Sequence, residues 1–452
     1  MIKRIMNSRG MRKFRRNRLA VVASVVIGVY TLIAIAVAFG AIPLADCKER
    51  VLPGRAYGFL QQPDEEQRFN ELNWYVTQHL APSLNVAGGL ASSENSASYR
   101  ESVALAERGI PEDWTNEQVQ ELWTVLRDTF ARLDDAWMER EDLRYEVADI
   151  QSVIDDPEMD DAEKASLADE LEDIESELAD LDSQIAELMD ETEAELLELL
   201  PIPTGWAGLK YGFRTFLGSD ESGRSVAVRA FYSIKIAFQV GLVAALMSVG
   251  IGTILGGLAG FYGGWVDHAV MWLVSVLSSV PYLVLLAVLV YVVRGNEYFS
   301  SWFDNPQERP GLALVPVYAA FGLTFWIGTC RVVRGEVMKI KELEYVQAAT
   351  AIGFGRMRIL LKHVIPNTTH IMFINFSLIF IGAIKSEVIL SFLGLGVQGQ
   401  PSWGVMISLG REDVQNFFFW TVLSATALMF GLVLAFNIVS DALQDAFDPK
   451  HV

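Results

Sequence analysis

The chain is poor in the residues and motifs that mark an enzyme. It has only two cysteines in 452 residues, Cys47 and Cys330, so a disulfide scaffold or a cysteine-based metal site has no support. It lacks the GxxxxGK[ST] sequence that cradles nucleotide phosphates and the HExxH pair of zinc hydrolases, and its five histidines are scattered. The sequence therefore predicts a protein that is not an enzyme, with no catalytic residue, no metal site and no cofactor of its own.

Charge is distributed very unevenly along the chain. Residues 46–205 hold 41 Asp and Glu against 11 Lys and Arg, whereas the other residues hold 15 acids and 25 bases. The pattern indicates a basic, apolar body that carries an acidic insert. Nucleic acid is disfavoured as a partner, because the only part with a water-soluble composition would repel phosphate.

Long uncharged apolar stretches exclude a single soluble globule. A run of about 20 apolar residues is long enough to cross the hydrocarbon core of a bilayer as a helix. Six such stretches predict an all-α polytopic membrane protein with six transmembrane helices, the first too long for a signal-peptide core. They lie at about 19–45, 237–260, 269–293, 311–330, 371–384 and 417–440; the fifth is interrupted by Lys385 and Glu387 and continues through 388–390.

The distribution of Lys and Arg predicts the orientation. Eight of the first 18 residues are basic. With that tail inside, the inner segments carry 16 Lys and Arg and the short outer loops carry 3. Cytoplasmic loops of membrane proteins are enriched in positive charge. We therefore expect both termini in the cytoplasm and the long insert outside.

Glycine recurs every four residues at the end of the second predicted span, at Gly252, Gly256, Gly260 and Gly264. Small residues at this spacing let helix backbones approach closely in lipid. Helix packing is the first interpretation. The alternative is that this stripe faces a partner helix that slides during a transport cycle.

A cytoplasmic loop at 331–368 is too long for a simple turn and has an amphipathic pattern. Tyr345, Ala348, Ala349 and Ile352 recur at helical spacing before Gly353, and a second short helix is expected to end at Pro366. A helix–glycine–helix pair with small residues at its bend suits insertion into a groove on a partner. The alternative is an interfacial helix that only anchors the loop.

The same loop carries a family resemblance. Gln347-Ala348-Ala349, then Gly353, then the sequence HVIP at 363–366, resembles the "EAA" loop of importer-type ABC permeases. In that family the loop is the coupling helix that docks on a cytoplasmic ATPase. The usual glutamate of the motif is Gln347 here.

Further motifs narrow the resemblance to the C-type permease subunit of dipeptide and oligopeptide ABC importers. They cover about 1–45 and 206–452, which leaves 46–205 without a counterpart. The matching stretches are FLGSDESGR at 216–224, GFYGGWVD at 260–267, SFLGLGV at 391–397, PSWG at 401–404 and the tail from 436 to 449.

The resemblance implies a fold, partners and site residues. The fold is the six-helix type I ABC importer permease fold, in a bacterial inner membrane. The partners are a second permease, two ATPase subunits that use ATP, an extracytoplasmic solute-binding protein and membrane lipid. The residues implied in ATPase coupling are Gln347, Ala348, Ala349, Thr350, Gly353, Phe354, Arg356, His363 and Pro366.

Two ionisable residues lie in the fifth predicted span, Lys385 and Glu387. Charged side chains at membrane depth are costly and commonly face a cavity or one another. A peptide zwitterion carries both charges, so the pair is a candidate for the translocation path. The alternative is that both lie at the interface and extend towards water.

The acidic insert contains heptad spacing. Leu167, Leu171, Ile174, Leu178 and Leu181 begin a seam with steps of four and three. With a shorter run upstream, it predicts an antiparallel coiled-coil hairpin over about 121–199, from helices at about 121–154 and 161–199. Its hypothetical role is a docking post for the binding protein or another envelope partner; the alternative is a self-packed decoration.

Two other functions remain open at this stage. One is a permease of the same family for nickel or another small solute. The other, from a different class, is a membrane-anchored coiled-coil scaffold, which explains the hairpin but not the cytoplasmic loop. The expected domains are 1–45, with the basic tail and first span; the insert 46–205; and a five-helix core at 206–452.

Overall fold

A computed structural model describes residues 14, 16–48, 65–80, 116–155, 160–200, 205–220, 224–295, 312–414 and 419–447. Several sequence predictions lie outside these residues. They are most of the basic tail, residues 156–159 between the two predicted hairpin helices, residues 221–223 of the 216–224 motif, and the end of the chain after 447.

The described residues fold into helices. They are α1 (Arg18–Ala38), α2 (Glu65–Asn73), α3 (Asn116–Ile154), α4 (Asp161–Leu199), α5 (Gly205–Thr215), α6 (Val226–Tyr262), α7 (Gly264–Ser278), α8 (Tyr282–Gly295), α9 (Val315–Thr324), α10 (Trp326–Lys341), α11 (Glu344–Ala351), α12 (Arg356–Ile359), α13 (Thr369–Phe392), α14 (Trp403–Asp413) and α15 (Trp420–Phe447). The chain forms two compact units, one from Met1–Glu49 and Arg224–Val452, the other from Arg50–Gly223.

Five helical segments are long and apolar enough to cross a membrane: Arg18–Ala38, Val226–Tyr262, Leu312–Lys341, Arg356–Phe392 and Trp420–Asp445. The helices α7 and α8 together also pass this test, but they are bent by 91° at the break between them. The count is therefore five, or six if the bent pair is one span. Five of the six predicted apolar stretches overlap the single segments, and the stretch at 269–293 overlaps the bent pair.

Polar side chains set the start of two membrane helices. The Asn17 side chain accepts hydrogen bonds from the backbone N–H groups of Leu19 (3.1 Å) and Ala20 (3.3 Å), which caps α1. Ser225 caps α6 by accepting from Val228 N–H at 3.2 Å. Such caps satisfy backbone donors that have no partner within the helix.

Aromatic packing joins three helices at the centre of the first unit. The rings of Phe238 in α6 and Phe380 in α13 lie 5.5 Å apart, and Phe380 stacks on Phe436 in α15 at 4.3 Å. The Tyr30 hydroxyl of α1 also ties α1 to α15, by donating to the Leu428 carbonyl at 2.9 Å. These contacts fix the helices from which the loops extend.

The second unit has its own core. Helix α2 and the π-helix that continues it, Trp74–Leu80, pack against α3 and α4. The buried cluster includes Leu72, Leu126, Leu133, Ile185 and Leu196. The seam residues earlier in α4, from Leu167 to Leu178, are only half-buried. The hairpin is therefore most tightly packed where a third helix covers it.

Polar contacts show that α3 and α4 run in opposite directions, because partners later in α3 lie earlier in α4. The pairs are Thr129 with Glu195 (2.9 Å), Arg132 with Glu191 (3.2 Å) and Arg140 with Asp182 (3.5 Å). The guanidinium of Arg140 is buried and lies 3.6 Å from the centre of the Trp137 ring. The coiled-coil interpretation itself stays a prediction.

Candidate functional site

The loop at 331–368 turns on Gly353. Helix α11 ends at Ala351, and Gly353 has a φ of +89°, which L side chains rarely adopt. The Gly353 N–H donates to the Thr350 carbonyl at 3.0 Å, and the Phe354 N–H donates to the Ala349 carbonyl at 3.2 Å. This pair of bonds is a Schellman motif, which closes the helix and redirects the chain into α12.

Two residues on one side of α11 are buried. Val346 and Ala349 lie in a cluster with Val337 of α10 and Val364. Of the residues whose helical spacing predicted this helix, Ala349 is buried, whereas Tyr345, Ala348 and Ile352 are exposed, with Ile352 at 75%. A single i, i+3 pair thus anchors this helix of eight residues.

An exposed patch therefore surrounds the bend. Four of the residues implied in ATPase coupling are exposed around the bend: Gln347, Thr350, Gly353 and Arg356. The patch also contains the large apolar side chains Tyr345, Ile352, Phe354, Met357 and Leu361. Apolar groups gathered at one exposed place are typical of a protein interaction surface. We call this surface the loop patch.

Aromatic and polar contacts hold the second half of the loop. The ring of His363 stacks on Phe354 with centroids 6.4 Å apart, and the Arg358 guanidinium lies 6.0 Å from the Phe354 ring centre. The Asn367 amide donates to the Tyr345 hydroxyl and to the His363 carbonyl, both at 2.7 Å. His363 thus lies inside the loop as a packing residue.

Pro366 does not end the helical path, contrary to the prediction. The chain continues from α12 through a π-helix, Leu360–Val364, and a 3-10 helix, Ile365–Thr368, into α13. Pro366 occupies the start of the 3-10 segment, where a missing N–H leaves no hydrogen bond unmade. The change of helix type accommodates the proline and leads the loop into the next span.

A cleft of about 520 Å³ separates the loop from the end of α6. Gln347, Thr350 and Arg356 line it, so three residues predicted from sequence meet in one place. Sequence reasoning missed the other lining residues: Phe261, Tyr262, Lys341, Glu342, Val346 and Ala351. The signal for the first two was present, since they belong to the turn motif at 260–267.

An ion pair beside this cleft was also missed. The Arg334 guanidinium in α10 makes two parallel bonds to the Asp267 carboxylate in α7, at 2.5 and 2.7 Å. Two-pronged pairs of this kind combine charge with a fixed orientation. The pair fixes the turn between α6 and α7 against the helix that leads into the loop.

The glycine stripe lies against α10 of the same chain. A Cβ on Gly252 would lie 2.6 Å from Thr329 Cβ, one on Gly256 would lie 2.5 Å from the Cys330 carbonyl oxygen, and one on Gly260 would lie 2.7 Å from the Arg334 carbonyl oxygen.

Gly264 does not belong to this stripe, contrary to the prediction. It has a φ of +56° and begins α7 after the turn, and no atom of the described residues lies within 4 Å of its would-be Cβ. Helical spacing ends at Tyr262, so the four-residue repeat cannot carry on to position 264.

The structure separates Lys385 from Glu387. Lys385 is exposed, whereas Glu387 is 1% exposed and accepts a hydrogen bond from the Ser391 hydroxyl at 2.6 Å. Ser402 also hydrogen-bonds Glu387, and the Ser391 oxygen accepts from Val397 N–H at 3.0 Å. Glu387 therefore connects α13 to the two motifs of the following loop.

Small residues are required in that loop. A Cβ on Gly396 would lie 1.9 Å from the Ser391 hydroxyl oxygen, and one on Gly404 would lie 2.5 Å from the Val388 carbonyl oxygen. The buried Trp403 indole donates to the Ala230 carbonyl of α6 at 3.1 Å. The glycines and tryptophan of the two motifs thus build a close contact between α13, α14 and α6.

Comparison with known proteins identifies the class of this membrane protein. Residues 252–451 match the family model described as binding-protein-dependent transport system inner membrane component. The match covers the glycine stripe, the loop at 331–368 and the motifs after α13. The chain therefore belongs to this family of transport permeases, which is not a class of enzymes and whose ATP is hydrolysed by separate subunits.

Three relatives show which branch of the family is similar. The dipeptide transport system permease protein DppC of Bacillus subtilis is 38% identical over 236 residues, covering 52% of this chain and 68% of the relative. The oligopeptide transport system permease protein OppC of Haemophilus influenzae is 35% identical, covering 52% and 70%. The glutathione transport system permease protein GsiD of Pectobacterium atrosepticum is 33% identical, covering 52% and 72%. The predicted dipeptide/oligopeptide-type ABC permease family is confirmed.

Proposed function

We propose that this chain pairs with a second permease to form a translocation path for peptides. We propose further that its loop at 331–368 couples this path to ATP hydrolysis by two separate ATPase subunits. The observation that carries the proposal is the loop patch. Its apolar side chains stand exposed around a rigid, glycine-defined bend. Leaving such side chains in water is unfavourable, so a partner surface that covers them gains free energy.

The docking contacts divide into two kinds. Ala348, Ile352 and Phe354 supply the apolar surface that enters a groove on the ATPase. Arg356 and Gln347, both at the cleft, supply polar contacts at its rim. Ala349 supports the patch from its buried side, and Gly353 sets the bend. Basic residues at the loop also serve the positive-inside bias, so they carry less of the assignment.

The proposed topology has six spans with both termini in the cytoplasm. It counts the bent pair α7 and α8 as one span, which makes the loop at 331–368 cytoplasmic. The excess of Lys and Arg in the inner segments, 16 against 3, supports this orientation. The insert at 46–205 then lies outside, as a domain separate from the six-helix core; the compact unit Arg50–Gly223 supports that division.

Of the two path candidates, Lys385 is the one with an accessible side chain. We propose that it contacts the carboxylate end of a passing peptide. Glu387 is committed to Ser391 and Ser402, and it would reach a solute only if the following loop moved away. Its proposed role is therefore to position that loop beside the path.

Peptides are the proposed solute because the similar permeases are named for dipeptides, oligopeptides and glutathione. Nickel or another small solute is the other result that an uptake assay could give. The insert at 46–205 is proposed as a docking post for the extracytoplasmic binding protein. Its separate core and its dense negative charge would suit a partner with a basic face.

Copurification from mild detergent tests the assembly. The tagged chain is expected to bring down a second permease and two ATPase subunits. The variant Ala348→Arg places a charged, bulky side chain in the loop patch and is expected to lose the ATPase subunits while keeping the second permease. The matched control is Ala165→Arg, at an exposed position of α4 in the insert. Equal ATPase recovery with both variants would contradict the docking assignment.

A further inference from the structure

Helix α5 connects the acidic insert to the membrane bundle and has an unusual surface. It spans Gly205–Thr215, and the second transmembrane helix begins only eleven residues after it ends, at Val226. Its large apolar side chains are exposed, led by Trp206 at 81% and Leu209 at 66%. Phe216, just after the helix, is 59% exposed.

These side chains share one side of the helix. At about 100° per residue, Trp206, Leu209 and Phe213 fall within an arc of about 60°. The opposite side carries Thr215 and Tyr211. Narrow segregation of this kind is typical of a helix that lies flat at a surface with one apolar side.

The charge of α5 is opposite to that of the insert before it. The segment from 205 to 216 contains Lys210 and Arg214 and no acid, whereas residues 46–205 carry 41 acids. Both basic residues flank the same edge of the apolar stripe, since they follow Trp206 by four and eight positions. A phosphate-rich surface would complement this arrangement, with aromatic rings at the depth of the headgroups.

We propose that α5 is an interfacial helix that lies in the outer headgroup layer of the membrane. Trp206, Leu209 and Phe216 enter the acyl boundary, and Lys210 contacts lipid phosphate. Lipid is favoured over a protein occupant because α5 carries two bases and no acid beside its exposed aromatic and apolar side chains, a composition typical of the headgroup layer.

The proposal depends only on the chain being a membrane protein, which its family establishes, and not on the transported solute. Its test uses a nitroxide on a single introduced cysteine in the full chain in lipid nanodiscs. Cys47 and Cys330 are both buried and are first replaced by serine. The labelled variants are Leu209→Cys on the stripe and Phe216→Cys just after the helix, with Thr215→Cys on the other side as the matched control.

Accessibility to oxygen and to a water-soluble nickel complex is then measured by electron paramagnetic resonance. Oxygen concentrates in lipid, so labels at 209 and 216 are expected to favour oxygen several-fold more than the label at 215. Equal, high access to nickel at all three positions would place the helix in water and overturn the proposal. Low access to both reagents at 209 and 216 would mean a protein cover, from a second copy or a partner, and would overturn it equally.

Discussion

Gly256 lies where two transmembrane helices are closest. Its would-be Cβ would lie 2.5 Å from the Cys330 carbonyl oxygen, a backbone atom that cannot move aside cheaply. Gly256→Ala must therefore separate α6 from α10, and we expect a loss of about 1–3 kcal/mol in stability. Gly250→Ala is the matched control on the same helix, since its Cβ would meet no atom of the described residues within 4 Å.

Thermal unfolding of both variants in one detergent checks this prediction. Gly256→Ala is expected to unfold at a lower temperature than the parent. Gly250→Ala is expected to match or exceed the parent, because alanine costs less than glycine in a helix by about 0.5–1 kcal/mol. Equal unfolding temperatures for the two variants would show that the close contact between α6 and α10 does not contribute to stability.

Glu195 gives the insert a pH dependence. Burial raises the pKa of its carboxyl group, and repulsion from Glu191 adds to this, although the hydrogen bond from Thr129 acts in the other direction. One carboxylate oxygen is buried, and no described residue hydrogen-bonds it. The folded state thus keeps a proton over a pH range in which the unfolded chain has lost it. Stability contributed by this group is present at acid pH and is lost as the pH rises through the folded pKa.

Glu195→Gln removes the buried charge and keeps an acceptor for Thr129. We expect slower hydrogen exchange in α3 and α4 of the full chain at pH 7, with a smaller gain at pH 4. Glu187→Gln, at an exposed position of the same helix, controls for the change in net charge. The same gain from both variants at pH 7 would assign the effect to general repulsion in the insert rather than to burial.

At the scale of elements, regular patterns in the sequence predict more than irregular ones do. The long helices α3 and α4 follow the spacing of their apolar residues, and each predicted apolar stretch lies on a membrane-type helix or on the bent pair. The π-helix after α2 had no such signal, because its packing depends on residues more than 40 positions away in the sequence. The bend between α7 and α8 was likewise invisible to hydropathy, which measures composition and not direction.

The loop shows the same division. Gly353 and the helices on either side follow from local sequence, because the Schellman motif is built from neighbouring residues. The cleft and the Asp267–Arg334 pair are long-range features that bring distant segments together. Which side of α11 packs on α10 did not follow from the sequence, since eight residues offer too few positions to define a face.

The hairpin of the insert can be shortened without disturbing its base. The observed pairs place residue 148 opposite about 175, and the buried core lies on the other side of that level, between Trp123 and Arg140 and their partners in α4. Replacing residues 148–175 by a short glycine-containing loop removes the distal half. If the insert is a docking post, we expect several-fold weaker association of the binding protein, measured on the assembled transporter in nanodiscs. An unchanged affinity would make the distal half a decoration.

For the whole molecule, the family is established by comparison with known proteins, whereas the role of the insert is not. Membership of the permease family follows from the match at 252–451 and from relatives of 33% to 38% identity. The match does not include the acidic insert, so its role has to be argued from its own core and charge. The scaffold alternative fails for the chain as a whole, because the family match covers the parts that a scaffold would not need.

The central claim is that the loop at 331–368 couples ATP hydrolysis to transport, and the most direct measurement compares uptake with hydrolysis in reconstituted vesicles. Gly353→Val strains a left-handed position, where a β-branched residue is a steric outlier. Gly355→Val is the matched control, because Gly355 has a φ of −59° and a ψ of 138° that valine adopts freely. A Cβ at either position meets no atom of the described residues within 4 Å.

The account predicts that the Gly353→Val protein is present in the membrane in the same amount as the control. It is expected to lose most peptide uptake while the ATPase subunits continue to hydrolyse ATP. Gly355→Val is expected to keep uptake and hydrolysis in proportion. Unchanged uptake with Gly353→Val, at equal protein level, would contradict the coupling role of this loop.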